Sequence, residues 1–444
     1  MRWPAWWHIV VALRAAALAQ PASPTVCEDD ACRCDSFTRV ICSCTADADT
    51  VTLRPDGAFR VPAMATAIMV EGCERVQFLS DTVRHLGRLQ LVDVRNSRHV
   101  LINNRALNRP PLGNNPDLEN NPGIRIVIHN STIDIIGSYA IQGRVDSIVI
   151  SDSRINFIEP YAFSSLIGVT NVELSNNHFV GLATQIFKKF TTSNFVLRGG
   201  VIHTLPSRFL SDVEVTSLFR MEGVLVEYMF SSAFRVTLPE RVLIESNTIG
   251  VMDGDCFHIA SRGPITFRNN TITGVRKGAF LGFSALPEVT SVKGQQELLL
   301  DNNIMTELMP SSLVYDTRTL TMRVDGLNLN TTCSCELADE WRDVLHDQGG
   351  AGGLSCWYSL EGYFVSLPTF VDSRCGKFKQ HFWIYVAVGV IVILIIAALG
   401  VYFIVKRENE KKKKVQIVMP DGKTYRETEF HIVVERADLL TTDL

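Results

Sequence analysis

Little net charge remains when 43 Lys and Arg are set against 47 Asp and Glu in this 444-residue chain, a formal −4 at pH 7. A total so close to balance gives no reason to expect a nucleic-acid partner. Chemistry-bearing constellations are missing as well. No nucleophile stands beside a base in a recognisable motif, no Gly-rich stretch has the spacing of a phosphate cradle, and no metal motif is present. The ten histidines do not cluster at ligand spacing. An enzyme therefore has no support, and neither cofactor nor metal is expected.

What is present begins with two apolar segments. Arg2, an apolar run over residues 9–18 and the small residues Ala17-Leu18-Ala19 read as a secretory signal over residues 1–19. Arg14 interrupts that run, which is too short to span a bilayer. Residues 382–405 are 24 in number and carry no charge. As a helix they would measure roughly 36 Å, enough to cross a hydrocarbon core. Lys406-Arg407 follow at once, then Lys411, Lys412, Lys413 and Lys414, with Trp383, Tyr385 and Tyr402 near the ends. Cations on that side put the C-terminus in the cytoplasm, so a type I plasma-membrane protein with an extracellular N-terminus is expected.

Cysteines are grouped. Of eleven, five lie between Cys27 and Cys44 and four between Cys333 and Cys375, with Cys73 and Cys256 alone. Clusters at both ends of a secreted segment point to disulfide-stapled caps. Zinc is the competing reading for Cys32/Cys34 and Cys333/Cys335, but one intervening residue is tighter than structural zinc sites use.

Between the clusters the chain repeats. With Val145 as position one, Ile148, Ile150, Ile155 and Ile158 fall at four, six, eleven and fourteen, and Ala162-Phe163 at eighteen and nineteen. Copies starting at Gly123, Val169 and Arg262 hold apolar residues at the same positions, and weaker ones start near Thr192, Thr216, Pro239 and Gln295. Starts are 22 to 24 residues apart, with one step of 33. Positions four and six share one face of a strand, and the later positions bring the chain back across the same core. One coil cannot bury that face alone, so neighbours stack. Position nine is Asn in copies such as those of Asn177 and Asn270, where a side-chain amide can serve the backbone of the next turn, and Ser131, Ser153, Gly200 and Val224 in four others.

The period, the caps and the position-nine asparagines together resemble the extracellular leucine-rich repeat family. That resemblance implies an α/β-type repeat solenoid with a parallel β-sheet on its concave face, disulfide caps and one transmembrane helix. It also implies the pairs Cys27–Cys34, Cys32–Cys42, Cys333–Cys356 and Cys335–Cys375. Core positions carry Ile, Val or Phe in place of Leu, which suits a parallel β-helix, the structural rival. The organisation expected is a signal 1–19, an N-terminal cap 20–54, degenerate repeats and a long loop 55–122, the array 123–326, a C-terminal cap 327–375, a linker 376–381, the span 382–405 and a tail 406–444. Cys256 takes the Ala place at position eighteen and reads as a small buried residue, with a reactive thiol the alternative. Cys44 and Cys73 are left to pair with each other.

In such strands position five faces outward. It reads Val127, Val149, Glu173, Val196, Arg220, Leu243, Thr266 and Leu299, an apolar stripe interrupted by two charges that suggest polar contacts with a partner. The plain alternative is that β-branched residues suit strands. Sequons stand at Asn130, Asn269 and Asn330, the first two at position eight. The terminal Thr442-Asp443-Leu444 looks like a ligand for a cytoplasmic PDZ scaffold. The expected function is a cell-surface receptor or adhesion protein that binds an extracellular protein. The alternative is an auxiliary subunit acting on a neighbouring channel or receptor in the membrane.

Overall fold

A computed structural model describes residues 24–36, 38–110, 123–342, 353–375 and 382–413. The secretory signal expected over residues 1–19 and the terminal Thr442 and Leu444 lie outside these residues.

Residues 24–370 form a parallel β-solenoid of about 12 turns. Each full turn in the middle of the array contributes a strand to each of three ladders. The first sheet runs through Arg39–Ser43, Ala67–Glu71, Leu91–Arg95 and Ile124–His129, and on to the start of Leu320–Thr332. A second runs from Thr50–Leu53 through Arg154–Ile158 to Leu354–Tyr358. The third is shorter, from Leu107–Arg109 through Phe163–Ile167 to Phe283–Ala285. The single concave sheet expected of a leucine-rich horseshoe is therefore one of three. Positions ten to fourteen are strand, and so is the stretch that begins at nineteen. Branched and aromatic residues at most core positions favour extended backbone over a helical return.

Two corners make the turn possible. Position eight is left-handed in turn after turn: Asn96, Asn130, Asp152, Asn176, Gly199, Gly223, Ser246, Asn269 and Asn302 have φ between 45° and 65°. Position seventeen does the same at Tyr139, Tyr161, Gln185, Arg208, Ser232 and Asp255. One left-handed residue redirects the chain without ending the stack, and Asn, Asp and Gly tolerate it best. The corner amides still bond from turn to turn, as Asn130 N–H does to Ser151 O at 3.1 Å and Tyr161 N–H to Gln185 O at 2.8 Å.

Inside, the predicted core positions are closed to solvent. Ile148, Ile150, Ile155, Ile158, Ala162 and Phe163 are all at most 1% exposed. Phenylalanines stack along the axis, with Phe163 over Phe187 at 4.4 Å and Phe234 over Phe257 at 5.3 Å. Each such ring contributes about 2–3 kcal/mol of burial, but only when the next turn covers it.

Position nine closes the corner between the first and second sheets with side chains. Ser97 N–H donates to Ser131 Oγ, Ser131 N–H to Ser153 Oγ, and Ser153 N–H to Asn177 Oδ1, at 3.0–3.1 Å. After a gap at Gly200 the ladder resumes: Val224, Asn247 and Asn270 N–H donate to Asn247, Asn270 and Asn303 Oδ1 at 2.9–3.0 Å. Each amide also donates back, Asn270 Nδ2 to Ile244 O at 2.9 Å for instance. These groups are buried, so the ladder satisfies donors and acceptors that no sheet reaches.

Residues 55–122 are more regular than the sequence suggested. Within this stretch Ala67–Glu71 and Leu91–Arg95 are rungs of the first sheet. Leu107–Arg109, where part of a long loop was expected, is a strand, and only 111–122 lies outside the described residues. Buried Arg109 ties that strand down, donating to Leu89 O at 2.7 Å and Gly87 O at 2.5 Å. Uneven spacing hid these turns, since rungs 28 and 34 residues apart break the period.

Disulfides link Cys27–Cys34, Cys32–Cys42, Cys44–Cys73 and Cys333–Cys356. Cys335 and Cys375 are both disulfide-bonded as well. The second unit, residues 371–444, contains the helix Phe382–Lys413, which is long and apolar enough to span a membrane.

Candidate interaction surface

The first sheet lines up its outward residues in register. Val127, Val149, Glu173, Val196, Arg220, Leu243, Thr266 and Leu299 are successive partners across neighbouring strands. The row also extends at both ends: Ile41, Met69 and Asp93 precede Val127, and Arg323 follows Leu299. Most members are half-buried between the flanking rows, while Met69 is 36% exposed and Val196 only 8%.

Glu173 and Arg220, read from sequence as partner contacts, are already engaged within the solenoid. Position seven carries Arg198, Glu222, Glu245 and Arg268 beside them. Arg198 lies 3.9 Å from Glu173 and 3.1 Å from Glu222. Arg220 lies 3.1 Å from Glu222 and 2.6 Å from Glu245, and Arg268 lies 3.0 Å from Glu245. Charges of alternating sign thus run continuously over five turns. Glu245, whose side chain is 10% exposed, is held from both sides. Arg220 is the register partner of Val196 on the next turn, where a long arginine stem can shield an apolar neighbour. Apolar outward surface is left before this chain at Val127 and Val149, beside it at Leu243 and beyond it at Leu299.

The same sheet has a second, shorter pairing near its start. Asp93 accepts from Arg95 at 2.9 Å, and that bond and charge raise the Arg95 guanidinium above its ordinary pKa. Sequence reasoning missed the position-seven residues because each was read within its own repeat. Their alternating signs were the available signal.

The sequons occupy the rim of this face and the sheet beyond it. Asn130 and Asn269 stand on the exposed position-eight corner, and Asn330 is exposed on the second sheet. Along that corner Asn130 Nδ2 donates to Asn96 Oδ1 at 2.8 Å, and Asn302 Nδ2 donates to Asn269 Oδ1 at 2.9 Å. An open groove of about 350 Å³ beside Asn130 is lined by Ser97, Arg98, Thr132, Asp152 and Arg154.

Cys256 is fully buried between stacked turns, and burial pushes its thiol well above the ordinary range. Among the described residues no group of three or more His, Cys, Asp or Glu is arranged to hold a metal ion. Histidines are spent on pairing between turns, His99 Nδ1 lying 2.9 Å from Asp134 and His203 Nδ1 3.0 Å from Glu227.

Set against known proteins, the chain matches no family model and no curated relative.

Proposed function

We propose that this chain is a single-pass cell-surface receptor or adhesion protein whose solenoid binds an extracellular protein through the outward face of its first sheet. It is a divergent member of the leucine-rich type, held in the plasma membrane by the helix Phe382–Lys413 with its N-terminus outside. The supporting observation is the outward row of that sheet. Val127, Val149, Leu243 and Leu299 sit in register with Met69 and Ile41, half-exposed, on a scaffold that stacking holds rigid. A flat, rigid, partly apolar surface with its own charges neutralised suits a protein partner, because little ordering entropy is lost on docking. A short tail ending Thr442-Asp443-Leu444 would tether the molecule to a cytoplasmic PDZ scaffold. Asn130, Asn269 and Asn330 would carry N-glycans along the rim and the second sheet, seen as a mobility shift on enzymatic deglycosylation.

The test is direct. The disulfide-bonded ectodomain, residues 20–375, is applied to intact cells that lack the protein, and binding is measured by cytometry. Saturable labelling is expected. Labelling of no cell type, together with co-purification of one integral membrane protein after mild detergent extraction, would favour an auxiliary subunit of that protein instead.

A further inference from the structure

The solenoid ends in a hairpin. Leu354–Tyr358 and Tyr363–Ser366 pair antiparallel, as Cys32–Asp35 and Arg39–Ser43 do at the other end, whereas the three ladders between are parallel. Its base is firmly held: Cys356 is bonded to Cys333, Trp357 meets Phe364 edge-on at 5.2 Å, and Leu367 and Phe370 are buried beneath. Its tip is not covered. Leu360 is 80% exposed and Tyr363 51%. Residues 354–370 include five aromatics, no Lys or Arg, and a single acid, Glu361. That one carboxylate accepts a hydrogen bond from the Tyr363 hydroxyl.

Such a composition is unusual on a water-facing turn. Apolar bodies with polar tips, tyrosine and tryptophan above all, are what the headgroup region of a bilayer accommodates. Chain length keeps the hairpin close to one. Eleven residues, 371–381, separate Phe370 from Phe382, and even fully extended they reach only about 40 Å. We propose that the tip of this hairpin, Leu360 and Tyr363, rests in the interfacial layer of the membrane that the apolar helix crosses. The proposal rests on reading Phe382–Lys413 as a membrane span. The occupant is a lipid surface: Leu360 reaches into the acyl boundary while the Tyr363 hydroxyl and Glu361 stay at headgroup level.

The experiment uses the full chain reconstituted in phosphatidylcholine vesicles, with a nitroxide label at Leu360→Cys. The ten other cysteines are in disulfides and Cys256 is buried, so the introduced thiol is the reactive one. Parallel labels at Val292→Cys, 83% exposed on the helix Pro287–Lys293, and at Val392→Cys within the apolar helix give the aqueous and hydrocarbon references. Collision rates with oxygen and with an aqueous nickel chelate are compared. At Leu360 oxygen is expected to be favoured several-fold relative to Val292. A Leu360 label that behaves like Val292 while Val392 reports hydrocarbon overturns the proposal and leaves the span intact. Shielding of Leu360 from both reagents would mean that protein covers the tip, which also overturns it. A water-like Val392 would remove the span itself, and the proposal with it.

Discussion

Arg220 reaches across one turn of the solenoid to Glu245, its Nη2 2.6 Å from Oε1. Arg268 holds the other carboxylate oxygen from the following turn, at 3.0 Å. Replacing Glu245 with Ala would leave two guanidinium groups facing each other over a site with little solvent. A loss of about 2 kcal/mol is expected in denaturant unfolding of the ectodomain. Arg198→Ala, at the more exposed end of the same chain, should cost under about 1 kcal/mol. Equal losses at the two sites would show that burial does not set the strength of this chain.

The position-nine ladder makes a prediction about size as well as polarity. Asn270 is 1% exposed and serves two backbone groups of the preceding turn. Asn270→Ala should cost about 2–3 kcal/mol, because the Asn247 N–H and the Ile244 carbonyl lose their partners. Ser at this place should cost less, since Ser131 and Ser153 do the same work elsewhere. Melting temperatures of the two variants give the order, and Ser falling below Ala would refute it.

Two glycines that look alike should respond differently. Gly200 has φ 81°, and a Cβ there would lie 2.1 Å from the Asn177 carbonyl oxygen. Gly200→Ala is expected to cost about 3 kcal/mol or more. Gly223 occupies a position-eight corner where the nearest atom to such a Cβ is 4.0 Å away. Asn fills that corner at Asn96, Asn130, Asn176, Asn269 and Asn302, so Gly223→Asn should lie within about 0.5 kcal/mol of the parent. Secreted yield and unfolding midpoint are the readouts.

Cys256 should be inert in the folded protein. Burial raises its thiol pKa, so it stays protonated and unreactive until unfolding. A thiol reagent should find no reactive group natively and one per chain in denaturant without reductant. The sign of the pH effect follows. Because the folded pKa lies above the unfolded one, the contribution of the neutral thiol is complete below the unfolded value of about 8.5 and is lost as pH rises past it. Stability of the parent relative to Cys256→Ala should therefore fall above about pH 8.5. A difference independent of pH between 7 and 10 would count against a buried neutral thiol.

The proposed binding face is tested by charge. Val149→Lys and Leu243→Glu alter outward residues, one before the ion-pair chain and one beside it, and touch no core position. Each is expected to weaken ectodomain binding to cells at least tenfold while the unfolding midpoint changes little, since surface changes usually stay within about 0.5 kcal/mol. Thr191→Lys on the third sheet, also exposed, is the control and should bind normally.

The repeating core was legible because stacking demands it. Six buried residues per turn recur at fixed offsets, and a shift of one place would turn them to solvent. The uncharged helix and the grouping of cysteines could be read for the same kind of reason, since each depends on composition alone. The first turns could not, because spacings of 28 and 34 residues erase a period that only backbone pairing restores. Two of the eight candidate contact residues, Glu173 and Arg220, turned out to spend their charge on neighbours.

Sequence by itself determined which residues face inward and that the turns must stack, because hydrophobic burial follows the pattern of side chains along the chain. Tertiary structure decided how many sheets the stack has. That number depends on left-handed corners at positions eight and seventeen, and residues as different as Tyr161, Gln185 and Arg208 adopt the same corner. Turn-to-turn hydrogen bonds impose that backbone geometry, and no local preference announces it.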